Sequence, residues 1–290
     1  MLDSHRMDRL VYYNDRIVDA TEAKIASTLG GALYGWGVFT TLRISEGKIF
    51  ALDHHWERLI RHAEKARVPV PIEYEELKSA VYELIAANST RQGRARITIL
   101  KGEIGSWSIG LERQSEVLIF TSSEAPRSPR ELAVTISPYR LLSTSPVAGI
   151  KRTAMIEHFL AFEEARARGF SEAVLLNERG EVVSTAAANI FWVQSDEIFT
   201  PSLGTGCIAG VTRRFVYEIA GQWNLHLTEG GFPMQRLLDA REVFLTSTTL
   251  GIAPVISFDV KQYSNKEARI TGLISRQFQN LIQDDKINGS

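Results

Sequence analysis

The chain has 290 residues, 44% hydrophobic and 23% charged, which is ordinary for a soluble protein of one large or two medium domains. Its 33 basic and 34 acidic residues leave a net charge of −1, so nothing in the charge balance favours nucleic acid or a membrane surface as a partner. One cysteine, Cys207, excludes an intramolecular disulfide, and with no apolar signal-like start and no bilayer-length apolar window the expected location is the cytoplasm.

In chain order, 10–13 and 16–18 flank Asn14-Asp15 as a hairpin, and 37–44 and 48–50 flank Ser45-Glu46-Gly47 as another. Asp53 caps a helix predicted over 54–67, with Trp56, Leu59, Ile60 and Ala63 on one face and Pro69 and Pro71 ending it. A helix over 74–87 follows, then strands at 95–100, 117–121 and 132–136. From 137 to 145 periodicity is lost and Pro and Ser gather. The expected division is therefore a smaller α+β domain, 1–140, and a larger α+β domain, 146–290. The second part reads as a helix at 154–168 and a strand at 173–176. A turn at Asn177-Glu178-Arg179-Gly180 leads into another strand, and a further strand lies at 190–193. A Gly-rich loop, 204–210, opens a helix at 211–222, and a strand at 242–246 and a helix at 268–283 complete the chain. Strands and helices mix without the regular alternation of a doubly wound sheet, so periodicity alone gives an α+β chain and no function.

Several residues could carry chemistry. Gly210-Val211-Thr212 opens a helix, where free N–H groups, the positive dipole end and the Thr212 hydroxyl suit a phosphate, although a Gly-x-Thr there is more often a plain cap. Thr246, Ser247, Thr248 and Thr249 gather hydroxyls at a strand end, or simply make a turn. Arg58 offers a bidentate contact to phosphate, or a solvated helix face. Lys151, in Ala148-Gly149-Ile150-Lys151-Arg152, is by itself an ordinary surface charge.

Taken together and in this order, these segments resemble the fold-type IV pyridoxal phosphate (PLP) enzymes, the class IV aminotransferase family, with its D-amino acid and branched-chain aminotransferase-like members. The resemblance implies a two-domain α+β fold with pyridoxal 5'-phosphate at the domain interface. Lys151 is then the Schiff-base lysine and general acid/base. Arg58 of His55-Trp56-Glu57-Arg58 holds the phosphate with Val211 and Thr212 of Gly210-Val211-Thr212-Arg213 and with Thr248. The run Glu172-Ala173-Val174-Leu175-Leu176-Asn177, then Gly180, then Asn189-Ile190-Phe191, matches the family between lysine and phosphate loop. A homodimer is implied too, with a partner loop closing the site.

Within the family, Val38-Phe39-Thr40-Thr41-Leu42-Arg43, Ser137-Pro138-Tyr139-Arg140-Leu141 and Ala187-Ala188-Asn189-Ile190-Phe191-Trp192 look like the 4-amino-4-deoxychorismate lyases. The aminotransferases usually carry Glu where Thr40 stands. The implied reaction eliminates pyruvate to release 4-aminobenzoate for folate synthesis. The alternatives are a class IV aminotransferase of branched-chain, D- or other amino acids, and a PLP-binding homologue with altered or lost activity. The third arises because Ser184 stands where the family has a Glu, five residues before Asn189, to bond the pyridine nitrogen; the nearest acid is Glu181. A hydroxyl cannot keep the ring protonated as a carboxylate does, which weakens the electron sink and hurts transamination most. Elimination with ring aromatisation has its own driving force. Trp36 replaces the family's usual Asp, and the loop 102–108, which includes Trp107, lacks the lyases' Arg. Thr40, Trp36 and Trp107 are thus candidate substrate contacts, and Arg43, Lys101 and Arg152 candidate carboxylate ligands.

Overall fold

The computed structural model describes residues 7–105, 108–110, 114–123, 132–264 and 268–288, with side chains to 284. The elements in chain order are β1 (Met7–Tyr13), β2 (Arg16–Asp19), α1 (Gly30–Tyr34), β3 (Gly37–Ser45), β4 (Lys48–Ile49), α2 (Leu52–Lys65), α3 (Tyr74–Ala87), β5 (Gln92–Lys101), β6 (Ser115–Ser123) and β7 (Leu132–Leu141). They continue with α4 (Ile156–Ala167), β8 (Glu172–Asn177), β9 (Val182–Thr185), β10 (Asn189–Gln194), β11 (Glu197–Pro201), α5 (Val211–Gln222), β12 (Leu227–Gly230), α6 (Gln235–Leu238), β13 (Glu242–Ser247), β14 (Gly251–Phe258), β15 (Lys261–Gln262) and α7 (Arg269–Asn288). The chain divides into two compact units.

The first unit holds a six-stranded antiparallel sheet in the order β2-β1-β6-β5-β3-β4. Strand alternation sends Val38, Leu42 and Ile44 of β3, and Ala95, Ile97 and Ile99 of β5, to one face. There they pack against Leu59 and Ala63 of α2 and Leu77, Val81 and Leu84 of α3. Phe39, Thr41 and Arg43 alternate to the other face.

The second unit holds a nine-stranded mixed sheet in the order β12-β11-β10-β13-β14-β7-β8-β9, with β15 paired to β14. Its parallel pairs are β11 with β12, β14 with β7 and β7 with β8. Ile190 and Trp192 of β10, Val243 and Leu245 of β13 and Val255 of β14 fill its main core.

The expected division at 140–146 is corrected on two counts. Strand β7 hydrogen-bonds to β14 and β8, so the second unit already includes it. Residues Ile150–Ala154, Lys151 among them, belong to the first unit. They lie against the start of β3, with Phe39 N–H donating to Lys151 O, Thr153 N–H to Gly37 O, and Val38 bridging Arg152. A β-ladder is a long-range contact, and the loss of periodicity at 137–145 did not reveal it. Among the described residues, no helix is long and apolar enough to cross a membrane, and no cluster of His, Cys, Asp or Glu is arranged to hold a metal ion.

Candidate active site

The buried stripe of α2 is wider than its apolar residues predict. Leu52, His55, Arg58, Leu59, His62 and Ala63 are buried, while Trp56 and Ile60 lie at the margin. Three polar groups thus face the sheet at helical spacing. Arg58 is 5% exposed and donates to Thr40 Oγ1 at 2.8 Å. Thr40 in turn donates to His55 Nδ1 at 2.8 Å, which leaves the His55 ring neutral, and burial holds it so. Thr40, expected to meet substrate, is instead on the helix-covered face with Val38 and Leu42. Its hydroxyl is spent on bracing Arg58.

Arg58 is the electrostatic anomaly of the first unit. Burial, followed by the nearby Arg61, draws its pKa down to about 10. Its Nε is buried without a partner, and no carboxylate pairs with it among the described residues. An uncompensated buried cation costs several kcal/mol, roughly, unless an anion joins it. This is the donor set a phosphate dianion fits.

Lys151 shares that environment. Its Nζ lies 4.4 Å from the centre of the Phe39 ring, and the Arg96 guanidinium lies 3.7 Å from the same ring. Burial, then Arg58, then Arg96, lowers the amine's pKa to about 7. Close to half of it is therefore neutral at physiological pH, the form that attacks a carbonyl. Its peptide N–H donates to His62 Nδ1 at 2.9 Å. Arg96 and His62 escaped the sequence reading. The signal was present in both: an arginine alternating with Ala95 and Ile97 on the Phe39 face of the sheet, and a third polar residue on the α2 stripe.

The second unit carries the other half of the predicted cofactor residues. Helix α5 opens on Gly210 in extended conformation, with no side-chain cap and no acid in the first turn. Its N–H groups and dipole are left for an anion. Val211 and Thr212 are both buried there. Asn189 sets this turn: its Nδ2 donates to Ile208 O at 2.8 Å, and a Cβ on residue 210 would fall 2.1 Å from its Oδ1. Only glycine fits. Asn189 also pairs with Thr246 across β10 and β13, and Thr246 Oγ1 is buried without a partner. Thr248 lies two residues on, in the turn after β13, half-buried.

Ser184 sits on β9, 8% exposed, opposite Leu175. Its neighbour Thr185 points to the other face of the strand, donating to Ala188 O and bonding Glu172. Glu172 is a buried carboxyl whose pKa rises to about 7 through burial, opposed by hydrogen bonds from the Ala173, Ala186 and Ala187 amides and Thr185. It stands on Thr185's side of the strand, not Ser184's. Glu181 does not substitute either. Asn177 and Arg179 bond its carboxylate, and Arg179 holds it below the usual carboxylate range. A hydroxyl occupies the position at which the family pattern has Glu, and neither Glu172 nor Glu181 stands in for it.

Among the substrate candidates, Trp36 donates its indole N–H to Ala66 O at the end of α2, and Lys101 donates to Arg67 O beside it. Arg43 is half-buried on the Phe39 face of β3, and burial lowers its pKa. Arg152 bridges Val38. Trp107 lies outside the described residues.

A profile described as amino-transferase class IV matches residues 37–258. The aminodeoxychorismate lyase of Bacillus subtilis is 29% identical over 284 residues, covering 95% of this chain and 97% of its own. A D-alanine aminotransferase of Listeria innocua is 27% identical over 278 residues, covering 92% and 94%. The crystal structure of a branched-chain aminotransferase from Thermoproteus uzoniensis with norvaline superimposes with a TM-score of 0.85 at 29% identity, covering 96% of this chain and 97% of the other. With most of its length matched, the chain belongs to the class IV aminotransferases.

Proposed function

We propose that this enzyme is a PLP-dependent lyase of the aminodeoxychorismate lyase kind, releasing pyruvate and 4-aminobenzoate. The observation that supports the lyase over an aminotransferase is Ser184, a hydroxyl where the family pattern has Glu, with Glu172 on the other face of β9 and Glu181 engaged by Asn177 and Arg179. The cofactor is pyridoxal phosphate, and the chain's chemistry suits it. Arg58, Val211, Thr212 and Thr248 hold the phosphate, as the family pattern assigns them.

When bound, the cofactor supplies an aldehyde that captures the substrate amine and a ring that draws electrons from the substrate α-carbon. Lys151, near its pKa at neutral pH, would meet the cofactor aldehyde as the free amine and then take the proton from that carbon; the aromatic product keeps no hydrogen there, so the proton would go to the methylene of the departing enolpyruvate as it becomes pyruvate. Arg58 cancels phosphate charge within a neutral frame of Thr40 and His55. Ser184 would offer the ring nitrogen a hydrogen bond and no charge. That suffices where loss of pyruvate yields an aromatic product, and it handicaps a reaction that must store charge in the ring.

The test is the purified holoenzyme with aminodeoxychorismate, followed by the appearance of 4-aminobenzoate and pyruvate. No product, with spectral half-transamination by L- or D-amino acids, would transfer the assignment to an aminotransferase. Silence in both would leave a PLP-binding homologue. Ser184→Glu is expected to raise half-transamination. The homodimer is supported by an apolar stripe on α4, where Ile156, Phe159 and Leu160 are 69%, 63% and 52% exposed. Sedimentation of the wild type and of Phe159→Asp tests it.

A further inference from the structure

We propose that His62 is the positioning residue of Lys151: its Nδ1 accepts the lysine's peptide N–H and so fixes where the amine is delivered. The inference rests on the reading of Lys151 as the reacting amine. The Lys151 peptide is held from both sides, with Phe39 N–H on its carbonyl at 3.1 Å and His62 Nδ1 on its N–H at 2.9 Å. Phe39 also presents its ring to the amine at 4.4 Å. Backbone and side chain of one lysine are thus tied to one residue of β3, and His62 of α2 closes the frame.

The imidazole suits this task because it keeps its lone pair. His62 is 4% exposed, and burial, followed by the positive charges of Arg58, Arg61, Lys65 and Lys151, lowers its pKa to about 3. The ring stays neutral at any working pH, with Nδ1 free to accept. An amine held at a fixed distance from Arg58 and Arg96 keeps its depressed pKa; an amine released from the frame moves away from them and regains its proton.

Two substitutions separate positioning from packing. In His62→Asn, Oδ1 takes the place of Nδ1 and the acceptor remains while bulk is lost. In His62→Phe, bulk remains and the acceptor is lost. In the apoprotein, the pH dependence of Lys151 acylation by an amine-selective reagent, read by peptide mapping, gives the amine's pKa without cofactor. The Phe variant is expected to show that pKa raised by at least about one unit, which means a reaction slower by roughly fivefold or more at pH 7. The Asn variant is expected to stay within about twofold of wild type. A Phe variant that matches wild type, or an Asn variant as slow as Phe, overturns the proposal. Borohydride trapping of PLP on the wild type is run alongside. An adduct absent from Lys151 there refutes the reading of Lys151 itself, independently of what the His62 variants do.

Discussion

Arg58→Met gives the sharpest check on the site, because it moves three quantities in specified directions. The guanidinium is buried, has an orphaned Nε and meets no carboxylate among the described residues. If a phosphate dianion completes it, Met removes two charge-assisted hydrogen bonds, each about 1.5–3 kcal/mol. The loss is about 3–6 kcal/mol, or roughly 10²–10⁴ in PLP affinity. Pyridoxal, which has no phosphate, should bind wild type and variant alike. The apoprotein should become more stable, since Met replaces an unpaired buried charge while the Thr40–His55 hydrogen bond survives. Arg58 also helps to hold the Lys151 pKa near 7, so its removal should raise that pKa.

The assay is equilibrium titration of apoprotein with PLP and with pyridoxal, followed by urea unfolding of both apo forms. A fall in PLP affinity below about fivefold would refute the phosphate role. So would an equal fall for pyridoxal, which would put the arginine's effect elsewhere in the site.

Three further outcomes follow from single contacts. Gly210→Ala must push the Asn189 carboxamide aside, and the loss of its bond to Ile208 O should weaken PLP binding about tenfold; adding Asn189→Ala should cost little more. Glu172, with a pKa raised by burial from the ordinary glutamate range to about 7, favours the folded state at low pH and loses that contribution as pH rises from the ordinary range through 7. Glu172→Gln should therefore flatten the pH dependence of the urea midpoint between pH 5 and 8, by up to about 3 kcal/mol. Rates of PLP capture by wild-type apoprotein should rise from pH 5 and level off above about 7 as Lys151 loses its proton, and a rise continuing to pH 10 would contradict its depressed pKa.

Much of the fold was legible, because helices and strands follow the period of apolar residues wherever burial is apolar. The predicted helices at 74–87 and 211–222 coincide with α3 and α5. Reading failed where burial is polar. The stripe His55, Arg58, His62 has ordinary helical spacing, yet the apolar count marks only Leu59 and Ala63, with Trp56 beside them, and leaves the polar half of the buried face unmarked. Thr40 follows the same rule: alternation with Val38 and Leu42 puts its hydroxyl under α2, against Arg58 and His55.

The unit boundary shows a second kind of failure. Lys151 joins the first unit through a few hydrogen bonds to the start of β3, across more than a hundred residues of sequence. Local composition does not encode such a return. What the sequence does encode is the need for it. A lysine that must be neutral at pH 7 requires burial among cations, and Arg58 and Arg96 sit on two elements of the same unit, α2 and β5. The short return Ile150–Ala154 puts the amine on the ring of Phe39, beside Arg96, while the positive charge of Arg58 acts on it from α2. The segment that looks like an interdomain linker is thereby folded into the first unit's sheet and helix, and its backbone bonds to Phe39 and His62 are where mutations should alter the lysine without touching it.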